Sequence, residues 1–275
     1  MIVVPVDQLP VVPGQPAHFP EYAALAEWLL EHAQARGSRT VGIAGAQGTG
    51  KSTLAGELHA AAQPRGMSVA TLSLDDFYLG RAERQRLAES DDPLLRTRGV
   101  PGTHEIGLLL RAISELVAGR GVEVPVFDKG RDDRVGSRWV DPAALCVVEG
   151  WCLGVPPAPA EALRAPINQL EAEEDHTGRW RTYVNTALAG DYARLRADLD
   201  LMVFLRAPDF GASVRWRREQ EQAIPASHRM DENQLQRFMA HYERLSRRAL
   251  ECLPNEADVV VNLLADHSVR DLWVH

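Results

Sequence analysis

The segment that most limits the possible folds is eight residues long and has the sequence Gly-Ala-Gln-Gly-Thr-Gly-Lys-Ser, residues 45–52. It follows an apolar run, 40–44, and precedes a helix-prone run, 53–60. In the pattern G-x-x-x-x-G-K-[ST] the glycines let successive backbone N–H groups face the β- and γ-phosphates of a nucleotide. The helix that begins near Lys51 presents its unsatisfied N–H groups to the same anions. The sequence therefore predicts a strand, a phosphate loop and a helix that bind a nucleoside triphosphate.

Within this segment, Lys51 is predicted to place its charge on the phosphates and the Ser52 hydroxyl to bind Mg²⁺. The alternative is a chance match in a glycine-rich turn, which the order of strand, loop and helix disfavours. The predicted nucleotide-binding residues of the loop and of the helix start are Gly45, Gln47, Gly48, Thr49, Gly50, Lys51, Ser52 and Thr53.

The overall charge restricts the partners. A net charge of −8 argues against a general nucleic-acid binder, which needs a basic face, whereas a few local cations suffice for a nucleotide. Residues 1–20 are apolar but interrupted by prolines, without the basic start of a signal peptide, and no apolar run approaches the ~18 residues of a membrane helix. The three cysteines, Cys146, Cys152 and Cys252, form no metal-spaced pair. We therefore expect a cytoplasmic protein without nucleic-acid or membrane partners, and the oligomeric state stays open.

Apolar strands alternate with helical stretches along the chain, which predicts a three-layer α/β/α fold with a doubly wound, mostly parallel sheet. Residues 1–39 are predicted to form an extended arm and a helix packed on the core, and residues 40–275 the nucleotide-binding domain. Thr103 is a candidate cap for a helix over 105–118. The predicted strands are 40–44, 68–74, 122–127, 144–148, 201–205 and 257–263, the last closing the sheet, and two helical stretches are expected at 161–175 and 179–197.

Several further motifs together resemble one family, the P-loop small-molecule kinases related to uridine kinase, phosphoribulokinase and pantothenate kinase, and within it the D-glycerate 3-kinases of plants, fungi and bacteria. The resemblance implies a P-loop kinase fold with a helical lid at about 209–230, and transfer of the γ-phosphoryl group from ATP, with Mg²⁺, to D-glycerate. The loop after Lys129 is shorter than in the plant enzymes. The matching segments are 45–52, 74–79, 98–104, 127–129, 133–134, 149–151, 216–217 and 220–221.

The motif at 74–79 supplies the candidate base. It is similar to the Asp-Ser-Phe-Tyr motif of uridine kinases, whose aspartate contacts the substrate hydroxyl, and this similarity assigns Asp75 as the general base and Tyr78 to the substrate site. Asp76 is the alternative base, or holds a metal-bound water. A solvated turn with two helix-capping acids is the structural alternative, and the Phe77-Tyr78 match disfavours it.

Glu149 ends an apolar strand, where a charge is costly to bury without a partner. We expect it to accept a hydrogen bond from a Mg²⁺-bound water or from Ser52; the alternative is an ion pair with Lys51 or an arginine. Lys51, Asp75 and Glu149 are thus the predicted catalytic residues, and the predicted metal site comprises Ser52, Asp76 and Glu149.

Cationic residues on several loops are expected at the same edge of the sheet. Together they are predicted to bind an anionic small molecule, since guanidinium groups bind carboxylates through two hydrogen bonds, although each alone is commonly a solvated surface charge. Arg98 either joins this site or fixes its loop. The predicted substrate-binding residues are Asp75, Tyr78, Arg98, His104, Lys129, Arg131 and Arg134.

The arginine-rich helix 210–222 is predicted to be the lid that neutralises the transferring phosphoryl group. Arg215 and Arg218 share one helix face and are the residues predicted to reach ATP, whereas Arg217 points elsewhere. The alternative is a basic helix face paired with Glu219 and Glu221.

Two other functions remain open at this point. One is a kinase of the same architecture for another small alcohol, such as a sugar, pantothenate or a nucleoside. The other is a P-loop ATPase that switches a partner. The loop cations favour an acid as acceptor, whereas a nucleoside site would require aromatic stacking.

Overall fold

A seven-stranded sheet forms the centre of the computed structural model, which describes residues 1–5, 8–9, 20–222, 224 and 229–275. The strand order is β1-β9-β8-β7-β2-β6-β3. The strands are β1 Ile2–Pro5, β2 Thr40–Gly45, β3 Val69–Ser73, β4 Val122–Asp128, β5 Asp133–Val140, β6 Leu145–Gly150, β7 Leu201–Arg206, β8 Val259–Leu263 and β9 Val269–Val274. The helices are α1 Pro20–Ala35, α2 Lys51–Ala62, α3 Arg81–Ser90, α4 Ile106–Val117, α5 Gln169–Glu174, α6 Arg179–Ala187, α7 Ala193–Ala197, α8 Phe210–Gln222 and α9 Glu232–Glu256.

Strand β2 lies in the middle of the parallel part of the sheet. Val41 pairs with Val147 of β6 on one side and with Leu201 of β7 on the other. All six residues of β2 and of β6 are buried. Because helices cover both faces of a parallel sheet, its strands are continuous apolar runs, which confirms the predicted doubly wound architecture.

The predicted end of the sheet at β8 is wrong. Strand β9 pairs antiparallel with β8, and β1 pairs antiparallel with β9, so two more strands extend this side of the sheet. Ile2 lies opposite Val274 across this last pair. The first residues of the predicted N-terminal arm are thus an edge strand, while residues 6–7 and 10–19 of that arm lie outside the described residues.

Strand β4 does not belong to the central sheet. It forms a separate two-stranded antiparallel hairpin with β5, which was not among the predicted strands. Gly136 has a φ of 152°, and the register shifts at Val126 and Phe127. The hairpin places its turn, residues 129–132, at the carboxyl end of the central sheet beside the phosphate loop.

Helix α1 packs on α2 at one face of the sheet and buries Leu25, Leu29 and Leu30. The two helical stretches predicted at 161–175 and 179–197 are shorter than expected. Only Gln169–Glu174 is α-helical in the first, and a wide turn at Leu188–Tyr192 interrupts the second. Within the described ranges, no helix is long and apolar enough to span a membrane.

The prediction that Thr103 caps α4 is wrong. Its hydroxyl donates to the carbonyl of Val100 at 2.7 Å and accepts from the Gly99 amide at 3.0 Å. Glu105 stands at the helix start and makes no side-chain cap bond. Thr103 therefore closes the turn that leads from Arg98 into the helix.

Candidate active site

The phosphate loop joins β2 to α2 and takes backbone conformations that favour glycine. Gly48 and Gly50 have φ values of 81° and 84°. A Cβ atom at Gly48 would come within 2.6 Å of Trp216, and one at Gly50 within 2.8 Å of the Tyr22 hydroxyl. The loop thus lies between α1 and α8, and its tight packing requires the two glycines.

Two hydroxyl groups fix the loop from inside. Thr49 donates its side-chain hydroxyl to the Ala46 carbonyl at 2.9 Å, and Tyr22 of α1 donates to the Thr49 carbonyl at 2.8 Å. Both side chains are buried. Thr49 was predicted to bind the nucleotide, and in the structure its side chain serves the loop itself. Tyr22 was not predicted, since nothing local in the sequence connects it to residues 45–52.

Lys51 begins α2 and donates to the Ala46 carbonyl at 3.1 Å. Burial lowers the pKa of Lys51, while the carboxylates of Glu149 and Asp75 act in the opposite direction. The ammonium group therefore lies among acids at the carboxyl edge of the sheet. An anionic phosphate beside it would favour its charged form.

Glu149 lies at the end of β6 with only 8% of its surface exposed. One carboxylate oxygen accepts from Ser73 at 2.7 Å and from Ser52 at 3.3 Å. The structure thus brings together Ser52 and Glu149 as predicted, and Lys51 bonds to the loop carbonyl rather than to Glu149. Ser73 was missed, because a serine within a strand gives no sequence signal of its own.

Asp75 follows β3 and is held by two side chains. The Tyr78 hydroxyl donates to one carboxylate oxygen at 2.7 Å, and Lys129 of the hairpin turn donates to the other at 2.6 Å. Burial acts to raise the pKa of Asp75, but Lys129 and the Tyr78 hydrogen bond outweigh it, so the pKa lies below its ordinary value. Asp75 is therefore an ionised carboxylate with both oxygens oriented.

Asp76 faces a different space. Its carboxylate lies 3.5 Å from Arg138 of β5, in a groove of about 800 Å³ between β3 and the hairpin. Burial raises the pKa of Asp76, with Arg138 acting against it. Asp75 and Glu149 line both this groove and the cavity beside the phosphate loop, whereas Asp76 lines the groove alone. Both aspartates thus line the groove, but Asp76 does not line the cavity beside the phosphate loop.

A cavity of about 890 Å³ runs from the phosphate loop to the hairpin turn. It unites residues from the segment after β3, from β6, α8 and α9, and from the hairpin turn, because the parallel strands bring their following loops to one edge of the sheet. The predicted site residues that line it are Gln47, Gly48, Gly50, Lys51, Ser52, Thr53, Asp75, Tyr78, Arg98, Lys129 and Glu149.

Three predicted substrate-binding residues do not line this cavity. The Arg131 side chain is 77% exposed and lies beside Asp128. Arg134 forms an ion pair with Glu105 at 2.8 Å and donates to the Tyr78 carbonyl. These contacts turn both arginines away from the cavity, so the expectation that this pair lines an anion pocket is not met.

The third, His104, lies buried behind Tyr78, with ring centroids 4.7 Å apart. Its Nδ1 is 2.5 Å from the Tyr192 hydroxyl. Burial lowers the pKa of His104 to about 4, against a smaller opposite effect of Asp75. His104 is therefore neutral at physiological pH and supports Tyr78 from behind.

The arginines of α8 are arranged differently from the prediction. Arg218 forms an ion pair with Glu232 at 2.6 Å, and Arg215 is exposed. Neither lines the cavity, whereas Arg217 does, with its guanidinium over the Phe238 ring and bonded to Glu221. The predicted lid, 209–230, includes residues 223 and 225–228, which lie outside the described residues.

A smaller cavity of about 330 Å³ opens on the other side of the phosphate loop. Tyr22, Thr53 and the stacked rings of Trp216 and His267, 4.3 Å apart, line it. A flat aromatic ring is the kind of group that such walls accommodate.

The donor set suits Mg²⁺, which is usually bound by one or two carboxylates together with substrate phosphates. The Ser52 hydroxyl and the Glu149 carboxylate, 3.3 Å apart, are oxygen ligands of this kind beside the phosphate loop. In the part of the chain that the structure describes, no group of three or more His, Cys, Asp and Glu side chains could hold a metal alone.

No family model matches the chain. It is 34% identical over 223 residues to the uncharacterized kinase mug58 of Schizosaccharomyces pombe, covering 74% of this chain and 77% of the relative. It is 31% identical over 219 residues to the chloroplastic D-glycerate 3-kinase of Arabidopsis thaliana, covering 74% of this chain and 45% of that longer relative. A solved D-glycerate 3-kinase from Cryptococcus neoformans has the same fold, with a TM-score of 0.77, 23% identity and coverage of 95% and 100% of the two chains.

Proposed function

Because the chain belongs to the P-loop kinase family that includes D-glycerate 3-kinase, we propose that it transfers the γ-phosphoryl group of ATP to a hydroxyl of D-glycerate and forms 3-phosphoglycerate. The observation that carries the proposal is a single cavity shared by the phosphate-loop Lys51, the oriented carboxylate of Asp75 and the cations Arg98 and Lys129. Phosphoryl transfer needs a site for the donor phosphates and a base for the hydroxyl, and an anionic acceptor also needs cations that bind it.

The donor side of the reaction uses the phosphate loop. Backbone N–H groups of the loop and the Lys51 ammonium would hold the β- and γ-phosphates, and Ser52 with Glu149 would hold Mg²⁺. The bound ion would neutralise charge that develops on the transferring phosphoryl group. Arg217 reaches the same cavity from α8 and is our candidate for a second neutralising charge.

The nucleobase has a separate place in this proposal. The cavity bounded by Trp216 and His267 adjoins Gly48, Gly50 and Thr53, so a nucleotide with its phosphates on the loop would direct its base there. Tyr22 forms another wall and also holds the loop, which links the base site to the phosphate site.

The acceptor side uses Asp75. Its carboxylate would accept the proton of the substrate hydroxyl as that oxygen attacks the γ-phosphorus. The bond between the γ-phosphorus and the β,γ-bridging oxygen breaks, and ADP leaves with the electron pair. Tyr78 and Lys129 each donate a hydrogen bond to this carboxylate and would orient it toward the substrate hydroxyl.

The choice of an acid as acceptor rests on charge. Arg98 and Lys129 line the cavity near Asp75, and a carboxylate that loses water on entering needs a cation to compensate. A sugar or glycerol has no carboxylate to accept hydrogen bonds from Arg98, whose Nη1 alone is bonded to Asp132. A nucleoside, the second candidate, would need aromatic walls, and Trp151 and Tyr242 also line the cavity.

The proposal is tested by acceptor-dependent ADP release with a panel of D-glycerate, glycerol, pantothenate, a pentose and uridine, together with identification of the phosphorylated product. We expect D-glycerate to give the highest kcat/KM and 3-phosphoglycerate as product. A preference for uridine or pantothenate would replace the substrate but keep the reaction. ATP hydrolysis that ignores every acceptor would favour a regulatory ATPase.

A further inference from the structure

A cluster of three charged side chains lies where the hairpin turn meets the loop before α4. Asp132, in the turn between β4 and β5, has a left-handed backbone with a φ of 56°. One of its carboxylate oxygens lies 3.0 Å from Arg84 and the other bonds to Arg98. The carboxylate thus connects two guanidinium groups of different exposure.

Arg84, on α3, is the fixed end of this cluster. Its side chain is 1% exposed, and each of its three nitrogens is used. They donate to the carbonyls of Leu79 at 3.1 Å, Arg96 at 2.8 Å and Asp132 at 2.6 Å. A buried guanidinium is costly unless it is paired and hydrogen-bonded, so Arg84 and Asp132 depend on each other.

Arg98 is the open end of the cluster. Its side chain is 25% exposed, lines the large cavity and bonds to Asp132 through Nη1. Its Nε and Nη2 make no hydrogen bond within the described ranges, and its guanidinium lies 5.6 Å from the centre of the Phe127 ring. The Tyr242 hydroxyl holds the Arg98 carbonyl at 3.0 Å. Both the backbone and one end of the guanidinium are therefore fixed, while the other end can donate two parallel hydrogen bonds.

Phe127 lies between Arg98 and Tyr78, the residue that holds Asp75. The ring of Tyr78 packs edge-on against Phe127 with centroids 5.0 Å apart, and its hydroxyl bonds to Asp75. A short molecule with a carboxylate at one end and a hydroxyl at the other could contact Arg98 and Asp75 at once. Arg131 and Arg134 cannot take this place, because the first is exposed and the second is paired with Glu105.

We infer that Arg98 binds the carboxylate of the acceptor and that Asp132, itself held by Arg84, is the positioning residue that aims Arg98 into the cavity. This inference rests on the proposed function for the position of the reacting hydroxyl. It assigns acceptor specificity to Arg98 and its charge cluster in place of Arg131 and Arg134.

Charge and positioning make opposite predictions for Asp132. If its negative charge only weakened an anion site, removing it would tighten the binding of D-glycerate. If it aims Arg98, removing it weakens that binding although the site becomes more positive. Asp132→Gly is suitable because glycine adopts the left-handed backbone without strain. Asp132→Asn is the conservative variant, since asparagine also tolerates this backbone and keeps one oxygen that can accept from Arg98.

The experiment compares Arg98→Met, Asp132→Gly, Asp132→Asn and the double variant Arg98→Met/Asp132→Gly. Arg131→Met is the matched control from the same turn. For each protein, KM and kcat are measured with D-glycerate and glycerol, KM is measured for ATP, and the affinity for D-glycerate alone is measured by calorimetry. Thermal unfolding reports structural damage separately.

We expect Arg98→Met to raise KM for D-glycerate roughly 10–100-fold, the range for losing a hydrogen bond to a charged group. KM for ATP and turnover of glycerol should stay nearly unchanged. Asp132→Gly should have an effect in the same direction, Asp132→Asn a smaller one, and Arg131→Met none. The double variant should be no worse than Arg98→Met alone, because Asp132 acts through Arg98.

Several outcomes would overturn the inference. They are tighter binding of D-glycerate by Asp132→Gly, additive losses in the double variant, or equal losses for D-glycerate and glycerol. If the wild-type protein binds D-glycerate through Arg98 but does not phosphorylate it, the role of Arg98 as the carboxylate-binding residue stands and the proposed function fails. If Arg98→Met phosphorylates D-glycerate with the KM of the wild-type protein, the proposed function stands and the role of Arg98 as the carboxylate-binding residue fails. If it neither binds nor phosphorylates D-glycerate, both fail.

Discussion

At the scale of single residues, the site is defined by how each charged group is paired. Asp75 is bonded to Lys129 and Tyr78, and Asp76 lies beside Arg138 in another groove. Two neighbouring acids therefore have different surroundings, although their positions in the sequence are nearly equivalent. This difference favours Asp75 as the base in the proposed reaction.

Exchange of each aspartate tests that choice. Asp75→Asn should lower kcat by about 10²–10⁴-fold, the usual contribution of a positioned general base, with little change in nucleotide affinity. Asp76→Asn is the matched control and should have the smaller effect, because Asp76 lines only the groove. Steady-state kinetics and nucleotide titration measure both quantities. A larger loss in Asp76→Asn would reverse the roles of the two acids.

The pairing with Lys129 also predicts a pH dependence. Asp75 can accept a proton only when its carboxylate is ionised. Because Lys129 and Tyr78 hold the pKa of Asp75 below its ordinary value, activity is lost only as the pH falls through that low pKa. Lys129→Met removes the cation, so the pKa of Asp75 rises and the acidic limb of kcat/KM moves to higher pH. Profiles of kcat/KM over roughly pH 4–8 would show this shift. Coincident acidic limbs in the two proteins would contradict the role of the pair.

The sequence identifies residue types at this scale but not their directions. The motif at 45–52 and the acids at 75 and 149 lie where expected, because each stands at or just after the carboxyl end of a strand of the central sheet. The loop cations do not follow that logic. Arg134 turns to Glu105, and Arg84, which lies in the charged segment 81–89, is fully buried. Such pairings depend on contacts between distant segments, which no local pattern encodes.

At the scale of elements, the hairpin β4–β5 is the feature that sequence reasoning missed. Strands of a sheet covered on both sides are apolar runs, and the predicted strands β2, β6, β7 and β8 are buried almost throughout. Strand β5 is largely exposed, and its large side chains Val135 and Trp139 are 46% and 64% exposed. Because β5 has no buried face, its sequence lacks the apolar periodicity that would predict a strand.

Helix α8 gives the prediction that belongs to this scale. Of its three arginines between 215 and 218, Arg217 alone lines the cavity, and Arg215 is a matched exposed control on the same helix. Arg217→Met should lower kcat by tenfold or more, because a charge that stabilises the transferring phosphoryl group acts mainly in the transition state. Arg215→Met should leave kcat nearly unchanged. Steady-state kinetics measures kcat for both variants. A larger loss of kcat in Arg215→Met would support the prediction that the helix face with Arg215 and Arg218 reaches ATP.

At the scale of the whole molecule, the alternation of strands and helices was sufficient to predict the doubly wound sheet. The two antiparallel strands β1 and β9 were not predicted. Strand β1 has only four residues, and it pairs with a partner at the other end of the chain. Both strands also contain polar or exposed positions. Pairing over such a distance in sequence is set by the completed core.

Global stability should depend on pH through His104. Its folded-state pKa of about 4 lies below the ordinary value of 6.5, because burial disfavours the charged ring. As the pH falls below 6.5 the unfolded chain takes up a proton that the folded protein refuses, so the free energy of unfolding decreases. Between about pH 7 and about pH 5 this group alone should cost about 2 kcal/mol.

Denaturant unfolding of the wild-type protein and of His104→Gln at these two pH values measures the effect. The variant lacks the titrating ring, so its free energy of unfolding should fall by about 2 kcal/mol less than that of the wild type. Differences between the two proteins matter here, because burial also lowers the pKa of other histidines, including His241. Equal decreases in both proteins would show that His104 takes up its proton in the folded state.

The active site lies at the carboxyl ends of the parallel strands, and the turns that lead into β2 and β3 lie at the opposite ends of these strands. Gly37 precedes β2 and Gly66 precedes β3, and no atom lies within 4 Å of the position that a Cβ would take at either residue. These turns lie a full strand length from the phosphate loop and Asp75. A peptide tag inserted there would tether the protein to a surface or a fluorophore with the cavity still facing the solution. The same geometry would let single molecules be followed through their turnover without a label near the reacting groups.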